Sequence, residues 1–274
     1  MQDDDHPGTL GRLSLLQGLE LRTYDARMRA VATGAGAAPD ISLVLIDDPS
    51  IRSLEPAVGR WPWPRVVHSL LIDFLARGPA KLVVYDVQFG EADKGTSDIL
   101  GTTWTGAESD GALVESVRQA GNVILAVEAS SEGLVDPSQN VQAPLDGVAS
   151  LDRQWPLTGF AEKRPLLTPP FADLGRAALA VGHARLVYDL DGPARRYVPF
   201  VEVAGRVVPS LPLAAVIAAR KLEPSQVSAS RDALQLGSQR VPWVAQEAPD
   251  FYGPPQTVYR PLVPYRGPTM RADN

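Results

Sequence analysis

Apolar residues along the chain change period several times, and each change marks an element. From about Thr9 to Val31, Leu13, Leu16, Leu19 or Glu20, Tyr24 and Met28 recur at three- and four-residue spacing. This predicts a helix with one apolar stripe. Arg12, Arg22, Arg27 and Arg29 occupy much of its other face, and the run Gly34 to Pro39 ends it as a short linker. Ile41 to Ile46 is apolar except for Ser42 and predicts a strand buried on both faces, as in a parallel sheet. It ends in Asp47-Asp48-Pro49. After Gly59-Arg60-Trp61-Pro62-Trp63-Pro64, a helix is predicted near Arg65. Pro64 suits its first turn, where an amide would lack a partner anyway. Val67, Leu70, Leu71, Phe74 and Leu75 form the expected buried stripe, and Gly78-Pro79 closes the helix. Lys81 to Val87 predicts a second strand. The strand–helix–strand order implies a right-handed parallel crossover.

Further on, a polar loop is expected from Gly90 to Ser109, a helix from Asp110 to Gln119 and a third strand from Asn122 to Val127. Ser130 to Pro170 is rich in Pro, Ser, Gly and Asp with weak periodicity, and predicts a long flexible segment of the kind that serves as a lid or flap. His183 to Tyr188 predicts a strand. Asp189-Leu190-Asp191-Gly192 predicts a tight turn with Gly where φ is positive. Arg196 to Val203 and Arg206 to Val208, joined by Ala204-Gly205, predict a hairpin. Ser210 to Lys221 is a further helix, and Ala233 to Val244 and Thr257 to Tyr265 supply more strands. No internal repeat is visible. The fold class is α/β: a central mixed sheet, parallel at the core with an antiparallel edge, and helices on both faces. The expected organisation is an N-terminal helix at residues 9–33 and one domain at 40–268, with the flexible segment at about 130–170.

Composition narrows the function classes. The chain has 274 residues, 45% hydrophobic and 21% charged, which suits one or two globular domains. The formal net charge of -6 disfavours a nucleic-acid partner. The absence of cysteine excludes thiolate metal sites, thiol catalysis and disulfides, and three histidines argue against a His-rich metal centre. No apolar run approaches the roughly 18 residues of a membrane span. The best, Val207 to Ala219, contains Pro209 and Pro212. The opening Met-Gln-Asp-Asp-Asp is acidic where a signal peptide is basic.

Ligands of open α/β sheets bind beyond the carboxyl ends of strands. Asp47, Asp48, Asp86 and Glu128 end three predicted strands, and Glu91 and Asp110 follow shortly. Gathered at one edge, such carboxylates suit Mg²⁺, Ca²⁺ or an amine; equally, strand-end Asp often caps the next helix. The Trp-Pro-Trp-Pro loop predicts an extended backbone with its indoles on opposite sides. Arg60 and Arg65 bracket it, in reach of the acids. The candidate ligand-binding residues are therefore Asp47, Asp48, Arg60, Trp61, Trp63, Arg65, Asp86 and Glu91. Asp189-Leu190-Asp191-Gly192 resembles the start of a calcium loop, but Pro193-Ala194-Arg195-Arg196 follows where ligands are needed, so a turn is expected. His183 reads as a satisfied polar residue and His68 as half exposed. There is no nucleophile elbow, phosphate loop or His-Glu-x-x-His pair. No cofactor is implied.

Several motifs together carry a resemblance. They are Leu-Glu-Leu-Arg-Thr-Tyr-Asp-Ala-Arg (19–27), Val-Leu-Ile-Asp-Asp-Pro-Ser-Ile (44–51), Gly-Arg-Trp-Pro-Trp-Pro-Arg (59–65) and Val-Val-Tyr-Asp-Val-Gln-Phe-Gly-Glu (83–91). Gly-Asn-Val-Ile-Leu-Ala (121–126), Gly-His (182–183), Asp-Gly-Pro-Ala-Arg-Arg (191–196), Pro-Ser-Leu-Pro-Leu (209–213) and Tyr-Arg-Gly-Pro (265–268) complete the set. This order resembles the second type of CHASE domain, a sensory extracellular domain associated with cyclases and histidine kinases. The resemblance implies the extracytoplasmic, periplasmic part of an inner-membrane bacterial receptor. It implies a nucleotide cyclase, histidine kinase, serine/threonine kinase or diguanylate cyclase as output, no enzymatic activity of its own, an undefined small molecule or ion as ligand, and a homodimer. Members carry flanking membrane segments and continue past the Tyr-Arg-Gly-Pro motif into a further strand. Neither is in this sequence, so the soluble part of a receptor, short of its last strand, is expected. Two rival readings are a metal-dependent hydrolase using Asp47 and Asp86, and a periplasmic partner-binding module using the 130–170 segment.

Overall fold

The computed structural model describes residues 7–31, 40–99, 101–130, 147–148, 150–189, 191–248 and 256–263. The expected linker Gly34 to Pro39, residues 131–146 of the long segment and the motif at 265–268 lie outside the described residues. The chain forms two compact units, a larger one of Ile46–Val187 and Arg196–Leu262 and a smaller one of Met1–Leu45, Tyr188–Arg195 and Val263–Asn274.

The smaller unit contains helix α1 (Pro7–Val31), as the apolar stripe predicts. Of its side chains that are described, Leu21 and Tyr24 are buried, whereas Leu19 is 57% exposed. Tyr24 Oη donates to the Val263 carbonyl at 2.7 Å, and the Val263 amide donates to the Arg195 carbonyl at 2.8 Å.

The larger unit opens with α2 (Asp48–Val58) and α3 (Arg65–Ala76), followed by β1 (Val83–Tyr85). A hairpin, β2 (Thr96–Ile99) with β3 (Thr102–Thr105), leads into α4 (Gly106–Ala120) and β4 (Val123–Ser130). Next come β5 (Glu162–Lys163), β6 (Leu166–Thr168), α5 (Ala172–Ala177), β7 (Ala180–His183), β8 (Leu186–Val187) and β9 (Arg196–Tyr197). β10 (Phe200–Val203), β11 (Arg206–Pro209) and α6 (Leu211–Arg220) follow. The unit closes with β12 (Val227–Ala229), β13 (Ala233–Leu236), β14 (Gln239–Pro242), β15 (Val244–Ala248) and β16 (Gln256–Arg260).

β4 is the centre of the sheet. β1 and β7 pair with it in parallel, and β6 runs antiparallel to its end. Residues 123–127 are all buried because successive side chains enter different cores. Val123, Leu125 and Val127 pack with Ile72 of α3, Leu113 and Val117 of α4 and Leu174 of α5. Ile124 and Ala126 pack with Leu211 and Ala214 of α6. A strand with helices on both faces needs an apolar residue at every position, which explains the uninterrupted run. The expected mixed α/β sheet is therefore present. A second core gathers Trp155, Leu157, Phe200, Leu213, Ile217, Leu234 and Trp243. The β10–β11 hairpin turns through Ala204 and Gly205, both at positive φ, as its two-residue loop demands. At Gly182 a Cβ would lie 2.6 Å from Leu211 Cα, so only glycine lets the start of α6 meet β7.

Several expectations need correction. Ile41 to Ile46 forms no strand, and Ile41, Leu43, Val44 and Leu45 are 72, 65, 58 and 50% exposed. The crossover expected from that segment to β1 is thus absent; the crossover seen runs from β1 through α4 to β4. The buried face of α3 is Val66, His68, Ser69 and Ile72, while Leu70 and Phe74 are exposed. The loop expected at Gly90 to Ser109 holds the β2–β3 hairpin. α4 begins before Asp110 because Thr105 and Glu108 form a capping box. α2, with Pro56 inside it, was not predicted. The described part of the 130–170 segment is not structureless: Leu151, Trp155 and Leu157 are buried, and β5 and β6 follow. Among the described residues no helix is long and apolar enough to cross a membrane.

Candidate functional site

The Trp loop bends instead of running extended. Gly59 sits at φ 83° and residues 60–62 form a bend, so the two indoles meet rather than diverge. Trp61 and Trp63 stand edge to face with ring centroids 5.3 Å apart. Trp63 is buried and Trp61 is 40% exposed. The Trp61–Pro62 peptide is cis. Pro64 caps α3, and the Val66 amide of its first turn donates to Ser109 Oγ of α4 at 2.9 Å.

This start of α3 aims Arg65 at a group of aromatic and acidic residues. Its guanidinium lies 5.2 Å from the Phe89 ring centroid, and Nη2 donates to the Glu91 carbonyl at 3.1 Å. Its Nε is 4.0 Å from Asp110 Oδ1, and neither atom has a hydrogen-bond partner although both are buried. Asp110 Oδ2 accepts from the Asp93 amide at 2.8 Å. Burial raises the pKa of Asp110, the Asp93 amide and Arg65 pull it back, and the Asp93 charge adds to the rise. Buried polar atoms are almost always satisfied, so the Arg65–Asp110 gap suits a water or a polar ligand group.

His68 lies behind the loop, almost fully buried rather than half exposed. Trp61, Trp63, Tyr85 and Phe89 surround it with centroids 5.1–6.2 Å away. Its Nδ1 and Tyr85 Oη are 2.8 Å apart. Burial, then Arg65, lower its pKa to about 4 against the pull of the Trp63 backbone. It is neutral at pH 7, and the buried Tyr85 phenol is raised beyond its ordinary value. The pair pins the aromatic cluster to the carboxyl end of β1 and holds no mobile charge.

The strand-end acids are arranged differently. Asp47 is the N-cap of α2, accepting from the Ser50 amide at 2.9 Å and from its hydroxyl. Those bonds, the hydroxyl first, lower its pKa. Asp48 is exposed in the first turn of α2, and Asp86 is exposed just after β1. Arg60 pairs with Glu55 at 2.9 Å, and the Glu91 carboxylate faces Lys94 at 3.6 Å, both on the surface. Among the described residues no hydrogen bond or ion pair joins Asp47, Asp48 or Asp86 to Arg60 or Arg65, and no three Asp, Glu or His cluster as metal ligands. The structure thus brings together Trp61, Trp63, Arg65 and the Glu91 backbone, and adds His68, Tyr85, Phe89 and Asp110. Tyr85 and Phe89 went unremarked in the sequence, although their spacing of four at a strand end was the available signal.

Two charged hubs also escaped sequence reasoning. In the smaller unit Arg195 is 2% exposed and binds Asp25 and Asp191 bidentately at 2.7–2.8 Å and Asp189 at 3.1 Å. The acidic turn therefore serves an arginine, and Gly192 takes the expected positive φ. In the larger unit Glu162 is 2% exposed and accepts from Arg164, from Arg185 at 2.9 Å and from Arg260 at 2.7 Å. Burial raises its pKa, but Arg260, Arg185 and the bonds from Arg164 and Arg260 outweigh that and hold it lowered.

Fold and site define a mixed α/β domain with an aromatic cluster at the end of a parallel strand, beside an arginine and an acid that each keep one atom without a hydrogen bond. The chain belongs to the CHASE2 domain family, which it matches over residues 8–272. CHASE2 domains are extracellular sensory domains. No curated protein and no solved structure matches this chain.

Proposed function

We propose that the protein is the extracytoplasmic ligand-sensing part of a bacterial inner-membrane receptor, with a nucleotide cyclase, histidine kinase, serine/threonine kinase or diguanylate cyclase as output. It carries no catalysis of its own and works as a homodimer, with residues 9–33 as the signalling helix and 40–268 as the sensor. The ligand is a small molecule or ion that meets Trp61, Arg65 and Asp110. The observation that carries this reading is Arg65 Nε and Asp110 Oδ1, buried, 4.0 Å apart and each without a hydrogen bond. A ligand acts as a signal only through a difference in affinity between two conformations. In the smaller unit Asp25 ties α1 to the 189–191 turn through Arg195, so a shift of α1 moves a defined polar cluster.

The test is thermal stability and NMR of the protein with Mg²⁺, Ca²⁺ and a panel of amines, amino acids and organic acids. A ligand should raise the melting temperature saturably, shift the indole resonances of Trp61 and Trp63, and lose both effects in Arg65→Met. If every ligand that binds leaves those indoles unmoved, the site is misplaced.

A further inference from the structure

The Glu162 hub has more positive charge than it neutralises. Arg185 and Arg260 each pair with Glu162 and with no other carboxylate among the described residues. Whatever else Arg164 meets, one carboxylate shared by these two guanidiniums leaves at least one surplus positive charge. Glu202 lies on β10 itself, but its neighbour Val201 stands opposite Glu162, so Glu202 faces the other side of the sheet, where its buried Oε2 also lacks a hydrogen bond. A buried charge without a partner is costly, so a surplus of this kind calls for a counter-charge.

The same place holds unmet donors. The Arg185 amide donates to His183 Nδ1 at 3.2 Å, which assigns the proton of the neutral ring to Nε2. His183 is 0% exposed, and its Nε2 has no partner. Glu162 and Arg185 both act on this imidazole, raising and lowering its pKa respectively after burial has set it well below the ordinary value. Arg260 Nε is likewise buried and unpartnered. Ser210, which pairs with His183 in a parallel bridge, is 4% exposed; its Oγ caps no helix amide and meets no partner. A cationic surplus and several orphaned donors call for one acceptor with negative charge and more than one oxygen. The Arg185 side chain, 21% exposed, is the part of the hub that reaches solvent.

We propose that Arg185, Arg260 and His183 form a second ligand site, for a small oxyanion with a carboxylate or phosphate group. This site shares no residue with the Trp loop, so either reading stands without the other. Bound there, the anion adds the missing counter-charge and locks β7, the start of α6 and β16 around Glu162. It would make the stability of the larger unit depend on the anion through Arg185, whereas any effect of the Trp loop depends on Arg65.

The probes are inorganic phosphate and acetate, with chloride at matched ionic strength. Phosphate, acetate or both should raise the melting temperature saturably, by about 5 °C once the anion exceeds its dissociation constant about 100-fold. The His183 imidazole resonances should shift along the same titration. The anion that saturates first identifies the source of the oxygens. Arg185→Met should weaken the effect at least tenfold, while Arg65→Met leaves it intact. Should Arg185→Met fail to fold, Arg185→Lys keeps the charge, loses the planar fork and should still weaken binding about tenfold. A rise that chloride reproduces, a dissociation constant unchanged in Arg185→Lys, or loss of the effect in Arg65→Met each overturns the proposal.

Discussion

In the smaller unit one guanidinium is ringed by three carboxylates; in the larger unit one carboxylate is ringed by three guanidiniums. The charges are inverted, and so is the depth. Two partners of Arg195 are open to water, Asp25 and Asp191 at 31 and 45% exposed, and Asp189 is 12% exposed. Those of Glu162 lie deeper on the whole: Arg164 and Arg260 are 5 and 9% exposed, and only Arg185, at 21%, reaches solvent. Surplus charge at the first hub is dissolved largely by solvent, whereas at the second only Arg185 shares it with water. With three ion pairs each, the two hubs would rank as equals by count alone. Desolvation separates them.

The largest effect is therefore expected at Glu162. Glu162→Gln keeps the shape and takes from Arg185 and Arg260 the one carboxylate each pairs with among the described residues, at a cost of about 3–5 kcal/mol by the rule for breaking a buried pair. Urea denaturation followed by tryptophan fluorescence measures it, because Trp61, Trp63, Trp104, Trp155 and Trp243 all lie in the larger unit. A loss under about 1 kcal/mol would mean that the guanidiniums are hydrated and the contrast in depth is not energetic.

Acid sharpens the comparison next. His68 is lowered to about 4 and His183 to about 3, in each case chiefly by burial. The unfolded imidazole titrates near 6.5. Between these values the unfolded chain binds more protons than the folded one, so stability falls as pH falls from about 6.5. The loss is on the order of 2 kcal/mol per histidine by pH 4.5. Asp25, Asp191 and Glu162 are also lowered, but their contributions are full above the ordinary carboxylate pKa and vanish only as pH falls through their folded values. The larger unit should thus weaken at pH 5–6, before either hub titrates. His68→Gln should remove about half of that early slope in urea midpoints taken at pH 7 and about pH 4.5. An unchanged slope would place the sensitivity elsewhere.

Arg195→Met comes third. It releases three acids that water can reach, so the cost should be about 1–2 kcal/mol, read as a lower melting temperature and faster proteolysis of the 189–195 turn.

What the sequence revealed follows the range of the interactions. β4 was legible because burial on both faces writes itself into five consecutive residues. The β10–β11 hairpin was legible because Ala204-Gly205 supplies its turn locally. The 189–192 turn was also legible, but its purpose was not, because Asp25 lies 170 positions from Arg195. Glu162 was hidden inside a Pro- and Gly-rich stretch whose composition says loop, while its partners Arg185 and Arg260 are 23 and 98 positions away. Ile41 to Ile46 has every local mark of a buried strand, yet pairing requires an edge, and the segment stays unpaired. In the site, Trp61, Trp63 and Arg65 were legible from an unusual local motif. Asp47 was over-read: its bond to Ser50, three residues on, makes it a helix cap. Nothing local could show that His68, Tyr85 and Asp110 converge on the loop.

The smallest effect separates the three acids around Arg195. Asp25 and Asp191 both make two bonds to the guanidinium, so geometry alone predicts equal losses on changing either to Asn. Asp25 stands on α1, whereas Asp191 is four residues from Arg195 and 45% exposed. The local pair is easily rehydrated and screened. Asp191→Asn should lower the melting temperature slightly at low ionic strength and not at all in about 1 M salt, where the Debye length falls to about 3 Å. Asp25→Asn should keep part of its loss in the same salt, because Asp25 is less exposed than Asp191 and its bonds join residues 170 positions apart. If the two substitutions respond to salt identically, exposure does not set the worth of an ion pair here, and the contrast drawn with Glu162 loses its physical basis.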